Sequence, residues 1–131
     1  MGETVNPEYE RAKERILATA DIWHRRLGID SLGIKVTHKF IPSYDDDDHE
    51  IVARTQAVWQ YRHAVVEWKL PAVTRLSDQA LVEVVIHEYV HVIIAPMESK
   101  LDSEHEELCE FAIETMTRAI MNVAGGGSSE S

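Results

Sequence analysis

The first strong pattern along the chain is helical. Between Asn6 and about Leu27, apolar residues recur every three or four positions, and charged residues occupy the positions between them. This spacing predicts an amphipathic helix with one face toward a core. Asn6 followed by Pro7 is typical of a helix start, and Gly28 is suited to a helix end. The apolar positions are Tyr9, Ala12, Ile16, Ala20, Trp23 and Leu27.

Three segments with the character of β-strands follow this helix. Ile34 to Ile41 alternates apolar and polar residues, while Ile51 to Trp59 and Ala64 to Leu70 are rich in β-branched and aromatic residues. The connection from Gln60 to His63 suggests a hairpin, although it lacks the Gly or Asn that tight hairpins favour. Pro42 to Asp48 is predicted to be a loop. We therefore expect a short and mainly antiparallel sheet.

Two longer apolar segments predict a pair of helices after the strands. Ser77 or Asp78 is suited to cap the first helix, which we expect to end near Ile94 because Pro96 cannot continue it. The second helix is expected from about Ser103 to Val123. Strands followed by separate helices are typical of an α+β fold.

The length of the chain favours one domain. It has 131 residues, of which 44% are apolar, enough for a single core. We assign residues 1–124 to that domain and Gly125 to Ser131 to a flexible tail. We find no apolar run of the roughly 18 residues that span a membrane, no secretory pattern near Met1, and only one cysteine, Cys109. These features predict a cytoplasmic protein.

The excess of acidic residues limits the kinds of molecule that the protein is expected to bind. The chain carries 13 basic and 23 acidic residues, a formal charge of −10, which argues against binding to nucleic acid or to an anionic membrane. The densest acidic run is Asp45 to Asp48. It lacks the spacing and the glycine of an EF-hand, so we interpret it as a solvated turn.

The segment with the clearest chemistry is His87-Glu88-x-x-His91, which lies inside the first of the two apolar helices. Residues four apart share one face of a helix, so the two imidazoles can bind the same metal ion. Glu88 lies about 100° around the helix from His87, where it can reach a water without being a ligand. This arrangement suits Zn²⁺. The alternative is a pair of core histidines that hydrogen-bond to their neighbours.

A third ligand is expected from the last helix, which offers His105, Glu106 and Glu110 among its polar residues. The metzincin extension would place glycine at position 94 and histidine at position 97. The chain has Ile94 and Met97 at these positions, so it does not follow that pattern.

The spacing of these residues resembles the gluzincin metallopeptidases of the thermolysin and neutral aminopeptidase type, and most of all their short bacterial and phage relatives. His87-Glu88-x-x-His91 is followed after 18 residues by Glu110, and apolar or small residues follow Glu110 at helical spacing. Cys109 stands where those enzymes commonly have an asparagine before a glutamate, and the chain lacks their large C-terminal domain.

The resemblance implies a zincin-like fold and hydrolysis of a peptide or protein substrate. One Zn²⁺ would be held by His87, His91 and Glu110, with Glu88 as general base. Glu114 would support a ligand from behind. Glu106 and His105 remain alternative third ligands. The strand from Ala64 to Leu70 would line the cleft, and its edge could pair with an extended peptide.

Several residues have plainer interpretations. Cys109 is best explained as a small, buried apolar residue rather than a thiol nucleophile, since no adjacent base is evident. Four residues could assist near the site, although each is more often an ordinary surface or sheet residue: Tyr44, His49, Tyr61 and His63. Two other function classes also remain open: a metal-binding structural or regulatory module without turnover, and a peptide-binding protein that has kept the fold.

Overall fold

The computed structural model describes residues 6–43, 51–98, 100 and 105–126. Within them the chain forms an α+β fold in which four helices pack with a mixed sheet of three strands. The predicted acidic run, Tyr44, His49, the start of the last helix at Ser103 and the tail beyond residue 126 lie outside these residues. The elements are α1 (Pro7–Arg26), β1 (Lys35–Ile41), β2 (Ala53–Val58), β3 (His63–Lys69), α2 (Leu70–Val73), α3 (Asp78–Glu98) and α4 (Glu106–Gly126).

Helix α1 begins and ends at the predicted residues. The Asn6 side chain accepts a hydrogen bond from the Glu8 backbone N–H at 2.9 Å, so it satisfies one of the first free donors of the helix. Gly28 follows the last turn with a φ of +74°, which residues with a side chain rarely adopt. The buried face consists of Ala12, Ile16, Ala20 and Trp23, as the apolar spacing predicts.

The order of strands in the sheet is β1-β3-β2. β3 pairs antiparallel with β2 and parallel with β1, in a register that sets Lys35 beside His63 and Ile41 beside Lys69. The prediction of a mainly antiparallel sheet is therefore wrong, because one of the two ladders is parallel. The alternation of apolar residues indicates which face of a strand is buried but not which strand lies beside it.

The predicted hairpin between β2 and β3 is confirmed. A short helical turn at Trp59–Tyr61 and Arg62 connect the strands, and Arg62 has a φ of 55°. The turn contains no Gly or Asn, the residues that usually take the left-handed conformation, so Arg62 takes it instead. The Arg62 guanidinium donates a hydrogen bond to the Leu32 carbonyl at 2.8 Å, which connects the hairpin to the start of β1.

Helix α3 lies at the centre of the fold, where it contacts β2, α1 and α4. It continues through Pro96 to Glu98, so the predicted stop near Ile94 is wrong. Pro96 lies in the last turn, and only two residues of the helix follow it. By length and mean hydropathy, 1.5 over 18 residues, α3 could cross a membrane, but core helices have the same character. Its contacts with three other elements support the second interpretation.

Helix α4 also extends further than predicted. Its last turn includes residues 125 and 126, which the sequence analysis assigned to the flexible tail. Ile113 and Thr117 are the buried residues of this helix, and they are one turn apart. The stripe that they form packs α4 against α3.

A chain of polar contacts joins Trp68, His38 and Tyr89 at the edge of the core. The Trp68 indole N–H donates to Nδ1 of His38 at 3.0 Å, and Nε2 of His38 lies 3.3 Å from the Tyr89 hydroxyl. Because Nδ1 accepts a hydrogen bond, this histidine is held in its neutral form. Burial, and then the nearby His24, lower the pKa of His38 from its usual value of 6.5. Burial raises the pKa of Tyr89 to about 12, with smaller effects from Asp21 and Asp30.

Candidate metal centre

His87 and His91 face the same side of α3. They are four residues apart, which places their side chains about 40° apart around the helix and one turn apart along it. The ring centroids are 5.0 Å apart and the rings are inclined by 63°. Each side chain is mostly covered but keeps some contact with solvent. The imidazoles therefore adjoin one another at the surface of the central helix.

Glu110 approaches both imidazoles from α4. Its Oε2 lies 3.4 Å from Nε2 of His91, and its Oε1 lies 3.9 Å from Nε2 of His87. One ligand atom from each residue lies within 4.8 Å of the other two. Glu110 precedes the buried Ile113 by three residues, so the contact that docks α4 on α3 also aims Glu110 at the histidines. Its side chain is 52% exposed, which leaves one side of the cluster open.

The chemistry of this cluster fits a divalent transition-metal ion. Two imidazole nitrogens and one carboxylate oxygen are the ligands that catalytic zinc sites use. Two ligands bound to one Zn²⁺ at about 2.0–2.1 Å in tetrahedral geometry are about 3.3 Å apart. The two nitrogen–oxygen distances of 3.4 and 3.9 Å are close to that value. A small inward movement of the side chains would therefore bring all three within reach of one ion.

Glu88 lies next to the cluster but is oriented differently. Its side chain is almost fully buried, with 7% of its surface exposed, and it faces β2. The Thr55 hydroxyl donates a hydrogen bond to Oε1 of Glu88 at 2.5 Å. The sequence analysis missed Thr55. Its only signal was the alternation along β2, which turns positions 53, 55 and 57 inward.

Glu98 is a second residue that the sequence analysis missed. Its carboxylate oxygens lie 3.2 and 3.3 Å from Nδ1 of His91. The Cys109 thiol donates to Oε2 of Glu98 at 3.5 Å, and the pKa of Cys109 is raised by desolvation, then by Glu98 and Glu110. Glu114, predicted for the supporting role, is an exposed residue of α4. The seven-residue spacing from His91 to Glu98 was visible, but the predicted stop at Pro96 concealed it.

The alternative third ligands lie outside the cluster. Glu106 is exposed and lines a cavity of about 230 Å³ together with Glu98, Cys109 and Glu110. His105 is exposed just before α4. Of all the residues that the structure describes, only His87, His91 and Glu110 form a group of three potential metal ligands this close together.

Tyr61 and His63 belong to the β2–β3 hairpin and not to the cluster. Tyr61 is 83% exposed, and Nε2 of His63 lies 3.3 Å from the Thr37 hydroxyl. Their positions are explained by the hairpin and by pairing between β1 and β3.

An open cavity of about 400 Å³ lies beside Glu88 and His87, between the start of β2 and α3. β3 is the central strand of the sheet and has no free edge, so the expectation that a peptide pairs with β3 is wrong. Among the strands that the structure describes, β2 lies at an edge of the sheet, and its first residue, Ala53, lines the cavity. The remaining lining residues are Ile51, Val52, Ala53, Ala80, Glu83 and Val84.

Comparison with protein-family models, with curated proteins and with solved structures gives no significant match.

Proposed function

We propose that this protein is a zinc-dependent peptidase, with a zincin-like arrangement of its sheet and two site helices. The observation that carries the proposal is the cluster of His87, His91 and Glu110, which lies beside the buried Glu88 and an open cavity. The order of these residues along the chain is the one that resembles the gluzincin peptidases.

The three ligand residues divide between two helices. His87 and His91 would hold the ion through Nε2, the nitrogen that faces Glu110 in each ring. Glu110 would supply one negative charge and keep the net charge of the bound site low. A bound Zn²⁺ lowers the pKa of water and polarises a carbonyl group, which are the two requirements for attack on an amide.

Glu88 would be the general base. Its carboxylate takes a proton from the attacking water and later delivers it to the leaving nitrogen. Oε1 accepts the hydrogen bond from Thr55, so Oε2 would carry this transfer. Because Thr55 belongs to β2, the strand that lines the cavity also orients the base.

The substrate would be a peptide or an extended segment of a protein. β2 is an edge strand of the sheet that the structure describes and begins next to the cavity, and an extended chain can add to such an edge as a further strand. The cavity is lined by apolar side chains and by Glu83, Glu88 and His87, so it combines an apolar wall with the reactive groups.

The experiment that tests this function compares wild-type protein with Glu88→Gln in a digest of a peptide library, read by mass spectrometry. We expect Glu88→Gln to keep the metal and the fold but to lower the rate by about 10²-fold or more, the usual share of a general base. Glu67→Gln is the matched control, because Glu67 lies on β3 in an ion pair with Lys39. Loss of the metal in Glu88→Gln would make Glu88 a ligand and contradict this mechanism.

One observation favours a second candidate, a metal-binding regulatory module without turnover. The cavity beside Glu110 is lined by Glu98, Glu106 and Cys109, which could supply a fourth protein ligand. A fourth ligand would close the position that a catalytic zinc site keeps open. Co²⁺ substitution separates the two candidates, since the absorption spectrum reports thiolate ligation and coordination number.

A further inference from the structure

His91 is the histidine of the site whose two ring nitrogens both lie close to a carboxylate. Its two ring nitrogens face two different carboxylates. Nε2 lies 3.4 Å from Oε2 of Glu110, and Nδ1 lies 3.2 Å from Oε2 of Glu98. His87 differs, because its contact with a carboxylate is through Nε2 to Glu110 at 3.9 Å. Only His91 is thus held from behind by a second acidic residue of the described chain.

The position of Glu98 is fixed by both helices that build the site. Glu98 follows His91 by seven residues, two turns of helix, so it returns to the same face of α3. That placement depends on the continuation of α3 through Pro96. From α4, the Cys109 thiol donates a hydrogen bond to Oε2 of Glu98 at 3.5 Å. The carboxylate is therefore restrained by its own helix and by the helix that carries Glu110.

We propose that Glu98 is a positioning residue for the metal centre. It accepts a hydrogen bond from the Nδ1–H group of His91, which fixes the tautomer whose free lone pair is on Nε2. That nitrogen is the one turned toward Glu110 and the place of the ion. A carboxylate behind a ligand histidine holds the ring orientation and raises the basicity of the ligand. This role rests on the proposed binding of a metal, but not on peptidase activity.

The role of Glu98 can be measured as metal affinity without any substrate. We expect Glu98→Gln to weaken Zn²⁺ binding by about 10-fold, and Glu98→Ala to weaken it by up to about 100-fold, the range found for partners behind a ligand. Competition with a chromophoric chelator gives these affinities. Glu107→Gln is the matched control: it removes the same charge from an exposed position of α4 that has no predicted role in the site, so it separates the hydrogen bond from the general field of the acidic protein.

A second measurement uses the metal-free protein. We expect the ¹⁵N NMR signals of the His91 ring to show a proton on Nδ1 in the wild type and a shift toward the other tautomer in Glu98→Ala. Stability alone would not move this signature. Glu98→Gln has nearly the same size as the native residue, so it keeps the test valid if the alanine variant folds poorly.

The outcomes separate this inference from the proposed function. Wild-type protein that binds no Zn²⁺ overturns the metal centre and the role of Glu98 together. Wild-type protein that binds Zn²⁺, with unchanged affinity in both Glu98 variants, overturns the role of Glu98 alone. An equal loss in Glu107→Gln also overturns it, because the effect would then come from charge rather than from the hydrogen bond to His91.

Discussion

His38 and His91 show two ways in which one fold surrounds a histidine. His38 lies half-buried at the edge of the core, where an indole N–H and a tyrosine hydroxyl, both uncharged, meet its two ring nitrogens. His91 lies on α3 two residues after Tyr89, about 200° around the helix, and both of its ring nitrogens face carboxylates. The first environment suits a neutral imidazole. The second suits an imidazole that donates a hydrogen bond from Nδ1 and binds a cation through Nε2.

The difference between His38 and His91 helps to decide whether His87 and His91 bind a metal or are structural histidines. A pair of core histidines satisfied by their neighbours was the other explanation of His87 and His91, and His38 shows what such a histidine looks like in this protein. Its pKa is lowered by burial. The two histidines of α3 instead belong to a group of potential metal ligands, in which one ligand atom from each lies within 4.8 Å of the other and of a carboxylate oxygen of Glu110. Their surroundings favour a metal site over a purely structural role.

The largest expected effect separates these two histidines directly. His91→Ala should weaken Zn²⁺ binding by more than about 100-fold, because loss of a ligand exceeds loss of its hydrogen-bond partner. His38→Ala should leave the affinity within about threefold of the wild type. It should lower the free energy of unfolding by about 1–3 kcal/mol, since the buried Trp68 N–H loses its acceptor. Calorimetric Zn²⁺ titration and urea denaturation measure the two effects, and equal zinc loss in both variants would refute the distinction.

The next effect concerns the third ligand. Glu110→Ala should lower Zn²⁺ affinity by at least about 10-fold, whereas Glu106→Ala and His105→Ala should change it little. The reason is geometric: of these three described residues, Glu110 alone has a ligand atom within 4.8 Å of ligand atoms of both histidines. The same titration measures all three variants. A larger loss in Glu106→Ala than in Glu110→Ala would assign the ligand to Glu106.

A smaller effect is expected at Thr55. Thr55→Val keeps the shape of the side chain but removes the hydroxyl that donates to the buried Glu88 carboxylate. We expect a loss of about 1–3 kcal/mol in the free energy of unfolding, with Zn²⁺ affinity unchanged. Thr55→Ser keeps the hydroxyl and serves as the control. If Thr55→Val binds Zn²⁺ much more weakly than Thr55→Ser, Glu88 takes part in binding the metal.

The smallest effect is a pH dependence that originates in the core. Folding lowers the pKa of His38 below its usual 6.5, so the unfolded chain takes up a proton at a higher pH than the folded protein does. The stability contributed by the neutral histidine is complete above about pH 6.5 and is lost as the pH falls from there toward the lower folded pKa. Urea denaturation of metal-free wild type and His38→Gln, at pH 7.5 and pH 5.5, should show a smaller decrease in the variant. Equal decreases would contradict the account of His38.

The sequence predicted best those features that depend on residues close together in the chain. The cap at Asn6, the stop at Gly28 and the inward face of α1 follow from residues adjacent in the chain. Strand pairing follows from contacts between distant residues, so the parallel partnership of β1 with β3 was not predictable from alternation.

The candidate site shows the same division between local and distant causes. The spacing of His87, Glu88 and His91 on one helix is a local property, and it was visible in the sequence. Thr55 could not be paired with Glu88 until the sheet lay against α3. Glu98 was missed because proline was expected to end the helix, whereas a proline in the last turn leaves two more residues in helical geometry.

The central claim is that the carboxylate-flanked histidines of α3 bind a metal ion. The most direct measurement is the metal content of purified protein after removal of metal with a chelator and re-addition of Zn²⁺, followed by gel filtration at pH 7.5. We expect about one Zn²⁺ per chain, with less retained as the pH falls, because the imidazoles must be unprotonated to bind. The His87→Ala/His91→Ala double variant should retain none. A wild-type protein that retains no stoichiometric transition metal, or a double variant that retains as much as the wild type, would contradict the account.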